Sequence, residues 1–146
     1  MSYRDSASFG KRQEYVVVAE LLKRGFDVYM TLVDDQGIDC ILRINNKTYI
    51  DIQIKARSKT AVQWNFFAGM TIKPYNNYYF IFYTEKNDTF WTMPSHDVVN
   101  LAITNKNGEN AGKHSLTLPK SDKTDKAIKF SKYKDDNGFN LLKHFK

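Results

Sequence analysis

The sequence is poor in cysteine and histidine, the side chains of most zinc sites. It has one cysteine, Cys40, among 146 residues. A single cysteine excludes an intramolecular disulfide and a cysteine-rich zinc site. Because Cys40 lies on the apolar face of a predicted strand, we expect it to be a small buried hydrophobic residue. The three histidines have no metal-ligand spacing: His96, His114 and His144.

Long apolar runs are also absent. No stretch approaches the roughly 18–20 apolar residues of a membrane span. The N-terminus, Met-Ser-Tyr-Arg-Asp-Ser, has no apolar run typical of a signal peptide. Together with the single cysteine, this predicts a cytoplasmic location. A glycine-rich phosphate loop is missing, and a serine–histidine–aspartate site has no nucleophile elbow in its favour.

The chain does have an ordinary globular composition and an excess of positive charge. Its length predicts one domain that buries its own core. Lysine and arginine outnumber aspartate and glutamate by 22 to 16, which gives a net charge of +6. A basic balance favours an acidic partner, most commonly nucleic acid. Much of the excess lies between Lys113 and Lys146, where it would equally serve solubility.

Two predicted strands organise the chain, joined by a tight turn at Asn45-Asn46-Lys47. Side chains on a strand alternate between its faces. One face of the second strand is apolar: Ile50, Ile52, Ile54, Ala56. Its other face is polar: Asp51, Gln53, Lys55, Arg57. The first strand separates Ile38, Cys40, Leu42 and Ile44 from Asp39, Ile41 and Arg43. In a hairpin, Asp39 would lie near the polar face, so a carboxylate, an amide oxygen and an ammonium would meet at one point.

The motif Gly37-Ile38-Asp39, then a hairpin, then Gln53-Ile54-Lys55, resembles the core of the PD-(D/E)XK nuclease superfamily. The form is most similar to Mrr-like restriction endonucleases and related small bacterial proteins. The similarity covers roughly residues 9–92, and the C-terminal third has no motif that we recognise. The resemblance implies an α/β domain over residues 1–146, with a restriction-endonuclease-like mixed central sheet flanked by helices.

The resemblance also implies a catalytic site. In that superfamily an aspartate, a glutamate or glutamine two residues before a lysine, and often a helix glutamate hold Mg²⁺ and activate water. The matching residues are Asp39, Gln53, Lys55 and Glu14, which follows Gly10 in the family's Gly-x-x-x-Glu pattern. Mg²⁺, or Mn²⁺ in its place, would bind Glu14, Asp39, Gln53 and the backbone carbonyl of Ile54. Lys55 would position the attacking water or stabilise the phosphorane charge.

Gln53 departs from the usual carboxylate of this site. An amide removes one negative charge from the metal's surroundings and should weaken Mg²⁺ binding, although Mrr-like enzymes tolerate glutamine here. Asp51, two residues earlier on the same face, is a candidate to restore the charge. Glu20 is the rival helix acid, but it does not match the family's spacing.

Basic residues around the motif predict a surface for nucleic acid, with DNA as the first expectation. Arg57 would extend the cationic strip, joined by Lys59, Lys11, Arg12 and Lys73, each of which is also an ordinary surface residue. Trp64, Tyr75, Phe66 and Phe67 could stack on bases, but core packing is the expected role. A chain this short has no evident specificity domain, so sequence preference would come from a homodimer or a partner protein.

Residue patterns predict the other elements. A helix is expected over 6–24, capped by Ser6 or Ser8 and ended by Gly25. Its buried stripe would run through Val16, Ala19 and Leu22, or through Tyr15, Val18 and Leu22, with Glu14 at the border. A strand over 26–33 would bury Phe26, Val28, Met30 and Leu32, before a turn at 34–37.

Further along, alternation at Val62, Trp64 and Phe66 predicts a strand where the superfamily usually has a helix. Residues 78–84 and 89–93 predict a hairpin whose first strand is central. Ser95 should cap a short helix through Leu101. A short strand is expected at 114–118, and a final turn or helix should pack aromatic residues on the core.

The leading prediction is metal-dependent hydrolysis of DNA phosphodiester bonds by an endonuclease of restriction or repair type. Two alternatives from other classes stay open. The first is a catalytically inactive nuclease-fold protein that binds nucleic acid through the same basic face. The second is a protein-interaction module that retains only the fold.

Overall fold

The computed structural model describes residues 2–33 and 36–146. The helices are α1 (Tyr3–Lys23), α2 (Ser95–Leu101), α3 (Asp125–Phe130) and α4 (Asp135–Lys143). The strands are β1 (Asp27–Met30), β2 (Cys40–Asn45), β3 (Thr48–Arg57), β4 (Phe66–Met70), β5 (Tyr78–Thr84), β6 (Thr89–Pro94), β7 (Ile103–Thr104) and β8 (His114–Thr117). Within the described ranges, no helix combines the length and apolar character needed to cross a bilayer.

The strands form two sheets. The large sheet has five strands in the order β1-β2-β3-β5-β6. Its β3–β5 pair is parallel and its other pairs are antiparallel, so the sheet is mixed. The small sheet is antiparallel, with three strands in the order β4-β8-β7. The predicted α/β fold with a mixed central sheet flanked by helices is therefore confirmed.

The predicted β2–β3 hairpin is confirmed, with its turn at the predicted residues. Cys40 pairs with Ile52 and Leu42 with Ile50, and the chain turns between Asn45 and Thr48. The apolar face of the hairpin packs on α1, α4 and β5 in one core, whose members include Val17, Leu21, Ile81, Phe139 and Leu142. Apolar and polar residues alternate along β3, and a shift of one residue would turn its isoleucines toward solvent. The sequence pattern was therefore sufficient to predict which face of the hairpin is buried.

Helix α1 begins earlier than predicted. Ser2 is the cap: its Oγ accepts a hydrogen bond from the Asp5 amide at 3.1 Å, and Asp5 in turn accepts one from the Ser2 amide at 3.3 Å. This capping box satisfies two amides that lack partners within the helix. The predicted caps Ser6 and Ser8 were therefore wrong, since both lie inside the helix. Gly25 ends the helix region with a φ of +87°, as predicted.

The buried stripe of α1 also differs from the prediction. Val17, Val18 and Leu21 face the core together with Gln13, whereas Tyr15 and Leu22 are more than half exposed, at 59% and 56%. The run Tyr-Val-Val-Val offers several adjacent stripes of similar apolar content, and only packing against the sheet selects one of them. Glu14 borders the selected stripe, as expected.

Strand β1 is shorter than predicted. It covers four residues at the edge of the large sheet, with Met30 paired to Cys40. Phe26 and Val28 pack against the core, but Met30 and Leu32 are exposed, so the predicted buried face ends at Val28. The predicted turn at 34–37 includes Asp34 and Asp35, which lie outside the described residues.

The strand predicted over Val62, Trp64 and Phe66 was wrong. Residues 59–65 form turns, and Val62 is 94% exposed. The strand begins only at Phe66 and pairs with β8 in the small sheet. Between Arg57 and Tyr78, where every residue is described, the chain forms this strand and no helix, which departs from the superfamily expectation.

The β5–β6 hairpin is confirmed, and every residue of β5 is buried. A second core lies between β5, β6 and the small sheet, and includes Phe67, Phe80, Phe82, Trp91 and Leu116. Strand β8 and the aromatic C-terminal helices are also confirmed.

Helix α2 has a different start from the one expected. Pro94 occupies the N-cap position. Ser95 Oγ instead accepts a hydrogen bond from the Tyr75 amide at 3.1 Å and donates one to the Tyr75 carbonyl at 3.0 Å. The predicted Ser95 cap was therefore wrong, and this serine fixes the loop before β5.

Candidate functional site

The candidate site lies where β2 begins beside the middle of β3. Asp39, directly before β2, is only 7% exposed. Its Oδ2 accepts a hydrogen bond from the Ile54 amide at 2.7 Å, and its own amide donates to the Ile52 carbonyl at 2.8 Å. The Asp39 side chain thus satisfies a β3 amide beyond the point where the backbone of β2 pairs with β3. The Asp39 carboxylate is held at the residue between Gln53 and Lys55.

Gly37 and Gln53 fit together next to Asp39. Gly37 has a φ of +70°, and a Cβ on it would lie 3.3 Å from both Nε2 and Oε1 of Gln53. Glycine is favoured on both counts, since it accepts this backbone conformation and leaves room for the amide. The Gly-Ile-Asp motif therefore has a local physical reason: Gly37 makes space for Gln53, and Asp39 reaches Ile54.

Tyr78 is a direct neighbour of Gln53. Its hydroxyl donates a hydrogen bond to Gln53 Oε1 at 2.5 Å. Tyr75 stacks on Tyr78, with ring centroids 4.8 Å apart, and donates its own hydroxyl to Asp51 Oδ2 at 2.7 Å. Burial, followed by the hydrogen bond to Asp51, raises the pKa of Tyr75. The amide of Gln53 is thus oriented, and Asp51 is bound to a tyrosine.

These tyrosines help to line a pocket of about 560 Å³ beside Gln53. Its other lining residues come from the loop before β2 and the segment before β5: Gln36, Gly37, Ile38, Thr71 and Lys73. The pocket combines a stacked aromatic wall with one amine. It borders the Gly-Ile-Asp loop directly.

Lys55 lies on the same face of β3 as Gln53. It lines a second pocket, of about 400 Å³, with Arg57, Gln63 and Phe66. Lys55 is partly exposed rather than turned into the hydrophobic interior. The Arg57 guanidinium donates from Nε and Nη2 to the Gln63 carbonyl, at 3.2 Å and 3.0 Å. Part of the hydrogen-bonding capacity of the Arg57 guanidinium is therefore used within the protein.

Glu14 approaches from α1. Its Oε2 lies 3.1 Å from Lys11 Nζ. The Glu14 hydrogen bond and charge are the main causes that raise the pKa of Lys11, with smaller effects from Tyr15 and Asp39. The charges of Asp39 and Glu14 also add to burial in raising the pKa of Cys40 to about 12. The charges of Glu14 and Asp39 therefore both influence the pKa values of Lys11 and Cys40.

The other predicted basic residues are more scattered. The Lys59 amide donates to Glu85 Oε1 at 3.1 Å, and the Arg12 guanidinium lies 5.8 Å from the Phe9 ring centroid. Lys73 lines the pocket beside Gln53. Of the predicted stacking residues, Phe66 and Phe67 line the Lys55 pocket and Phe67 also belongs to the second core, whereas Tyr75 lines the pocket beside Gln53.

The oxygens available for a metal ion are few. In residues 2–33 and 36–146, no three histidine, cysteine, aspartate or glutamate side chains are grouped to hold a metal. The candidate donors are the two carboxylates Glu14 and Asp39, the amide oxygen of Gln53 and the backbone carbonyl of Ile54. All are hard oxygen donors, and such a set fits Mg²⁺, which keeps several of its water ligands.

Sequence reasoning missed two contributors. Tyr78 reaches Gln53 because β5 pairs in parallel with β3, a pairing of distant segments that leaves no local signal. Gln13, buried beside Glu14, donates to Glu85 Oε2 at 3.0 Å. Because Glu85 also accepts the Lys59 amide, it ties α1 to the loop after β3. The available signal in the sequence was the position of Glu85, an acidic residue directly after the central strand β5.

Comparisons with known proteins bear on the fold. No protein-family model matches the sequence, and no curated protein matches it. Among solved structures, the chain is similar to a bacterial homing endonuclease, I-Ssp6803I, with a TM-score of 0.64 and 15% identity over 92% of this chain and 90% of that chain. The fold is therefore nuclease-like. Because the likeness covers 92% of the chain, it extends beyond residues 9–92.

Proposed function

We propose that this protein is a metal-dependent endonuclease that hydrolyses DNA phosphodiester bonds through a PD-(D/E)XK site of the Mrr-like form. The observation that carries the proposal is the Asp39 carboxylate bound to the Ile54 amide at 2.7 Å, between Gln53 and Lys55. The structural similarity to a homing endonuclease supports the endonuclease part of the proposal.

Each residue has a proposed role. Asp39 and Glu14 would hold Mg²⁺ or Mn²⁺, with the Gln53 side-chain oxygen and the Ile54 carbonyl as neutral ligands. Such an ion supplies Lewis acidity and lowers the pKa of water. The Lys55 ammonium orients the attacking water or stabilises negative charge that develops on the phosphate oxygens.

Neighbouring residues prepare this arrangement. Tyr78 orients the Gln53 amide through its hydrogen bond. Lys11 neutralises Glu14 through the 3.1 Å ion pair, so its ammonium would move when a divalent cation binds. Arg57, Lys59, Lys11 and Arg12 would contact the DNA backbone, which is how basic side chains position a duplex.

The test is cleavage of supercoiled plasmid in Mg²⁺ or Mn²⁺ by the wild type, by Lys55→Ala and by Lys47→Ala. Lys47 lies in the turn between β2 and β3, so its removal takes away the same charge at the far end of the strand. Loss of a charge-stabilising group at the reacting phosphate should slow cleavage at least about 100-fold, whereas Lys47→Ala should cleave like the wild type. Absence of wild-type cleavage, or equal rates in all three proteins, would refute the proposal.

One observation favours a second candidate function. Among the described residues, no three acidic, histidine or cysteine side chains are grouped to hold a metal ion, which is compatible with a nuclease fold that binds nucleic acid without cleaving it. Salt-sensitive DNA binding without cleavage would support that candidate. Absence of both would leave a protein-interaction module that retains only the fold. Sequence preference through a homodimer stays a prediction.

A further inference from the structure

Most of the net positive charge lies in the C-terminal segment, outside the proposed catalytic residues. Residues 113–146 contain nine lysines and four aspartates, which together supply five of the six net positive charges of the chain. Five of these lysines recur at every third position: Lys120, Lys123, Lys126, Lys129 and Lys132. The structure shows where the side chains of these regularly spaced lysines lie.

The fold gathers three of these lysines at one place, which we call the lysine strip: Lys126, Lys129 and Lys132. Lys126 and Lys129 line a pocket of about 380 Å³, and Lys129 and Lys132 line a smaller one beside it. All three are exposed. Among residues 2–33 and 36–146 none of the three forms an ion pair, whereas Lys134 binds Asp122 at 2.6 Å.

The larger pocket belongs to the small sheet as much as to α3. Its lining includes Ile103 of β7 and Thr117 and Ser115 of β8. One carboxylate, that of Asp125, lines it as well, and Asp97 lines the smaller pocket. The Lys126 Nζ lies 5.8 Å from the centroid of the Phe130 ring, which lines the same pocket, and partial burial lowers the pKa of this amine.

The small sheet connects this pocket to the candidate site. Thr117 pairs directly with Phe66 of β4, and paired residues of adjacent strands lie about 5 Å apart. Phe66 in turn lines the pocket that contains Lys55 and Arg57. A single pair of neighbouring strands therefore separates the lysine strip's pocket from the Lys55 pocket.

We propose that the lysine strip and the adjoining face of the small sheet bind the phosphate backbone of the DNA that enters the candidate site. The inference rests on the proposed function for the identity of the partner. Its own support is charge complementarity: residues 120–134 carry six lysines and two aspartates, and a duplex carries one negative charge per about 1.7 Å of its axis. The exposed hydroxyl of Thr117 adds a donor of the kind that contacts phosphates.

The experiment measures binding apart from cleavage. Fluorescence anisotropy of a labelled DNA duplex in EDTA gives the dissociation constant at several KCl concentrations. The test variant is Lys126→Gln/Lys129→Gln. The control is Lys23→Gln/Lys47→Gln, which removes the same charge at the opposite end of the large sheet, where α1 ends and β2 turns into β3.

Each lost phosphate contact lowers the slope of log affinity against log salt by about 0.9. We expect the test variant to lose about two units of slope and about tenfold in affinity, and the control to stay close to the wild type. Thermal unfolding of both variants verifies that they fold. A test variant that retains the wild-type slope, or that weakens no more than the control, would overturn the inference, as would a wild type that does not bind the duplex.

Cleavage assays separate this inference from the proposed function. Strip-dependent binding without any cleavage by the wild type would refute hydrolysis and support the strip as a DNA-binding surface. Cleavage by the wild type, together with an unchanged slope in the test variant, would support hydrolysis and overturn the role of the strip.

Discussion

The two faces of β3 show how one strand can serve both stability and chemistry. Ile50, Ile52 and Ile54 are buried against α1 and α4. On the opposite face, Asp51 accepts a hydrogen bond from Tyr75 and Gln53 accepts one from Tyr78. Substitutions on the first face should therefore change the free energy of unfolding, and those on the second should change metal binding or cleavage.

Strand β5 is the natural contrast to β3. It lies next to β3 in the sheet, and all seven of its residues are buried. Central strands covered on both sides usually read as continuous apolar runs, and β5 follows this rule. Strand β3 has the same central position but keeps a polar face, which is the departure expected at a functional site.

The largest predicted effect tests the apolar face. Replacing Ile52, which is fully buried, with alanine should lower the free energy of unfolding by about 3 kcal/mol, because lost burial and a residual cavity add together. Urea unfolding measures this loss. Ile52→Val is the matched control, with an expected loss of about 1 kcal/mol.

The same variant tests the separation of the two faces. The backbone contact between Ile52 and Asp39 remains in Ile52→Ala, so cleavage per folded molecule should be unchanged. A loss of stability below about 1 kcal/mol, or a loss of cleavage comparable with that of Lys55→Ala, would contradict the division of labour.

The next effect concerns Cys40, which packs on the apolar side of the hairpin. Burial, with the charges of Asp39 and Glu14, raises its pKa from 9.0 to about 12. Between these values the unfolded chain loses the thiol proton and the folded chain keeps it, so stability must fall as the pH rises. The expected slope is about 1.4 kcal/mol per pH unit above pH 9.

Urea unfolding at several pH values measures the slope, and Cys40→Ala is the control that lacks the thiol. Tyr83 and Tyr133 also have raised pKa values and contribute in the same direction in both proteins. The Cys40 contribution is therefore the difference between the two profiles. Parallel profiles above pH 9 would show that the thiol titrates equally in the folded and unfolded chains.

The β2–β3 hairpin and the β5–β6 hairpin could be predicted from the sequence because local alternation and turn residues determine them. The stripe of α1 could not, since Tyr15, Val16, Val17 and Val18 give several equivalent apolar faces, and the sheet selects one. The alternation at residues 62–66 was misleading because Val62 is 94% exposed, so the apolar residues of this run do not form one buried face.

The residues of the candidate site also divide into those that local sequence patterns predict and those that depend on tertiary contacts. Asp39, Gln53 and Lys55 come from one hairpin, so the sequence could indicate that they meet. Tyr78 and Glu85 come from β5 and its end. Tyr78 reaches Gln53 through the parallel β3–β5 pairing, and Glu85 contacts Gln13, the residue before Glu14. Parallel neighbours separated by another strand carry no turn signal, which is why these contributors were not predicted.

The smallest predicted effect tests the polar face at Gln53. Gln53→Glu adds a negative charge to the set of oxygens proposed to hold the ion, so Mn²⁺ should bind about tenfold more tightly, a gain of about 1.4 kcal/mol. The Tyr78 hydroxyl can donate to a carboxylate as it does to the amide, so the orientation should be retained. Isothermal titration calorimetry with Mn²⁺ measures the change.

The control for Gln53→Glu is Asn140→Asp, which adds the same charge on the exposed side of α4. Its Mn²⁺ affinity should match that of the wild type, because charges separated by more than about 10 Å are screened at 0.1 M salt. Equal affinities in Gln53→Glu and the control would place Gln53 outside the surroundings of the ion. The polar face of β3 would then serve the tyrosine contacts alone, and the comparison with β5 would lose its functional meaning.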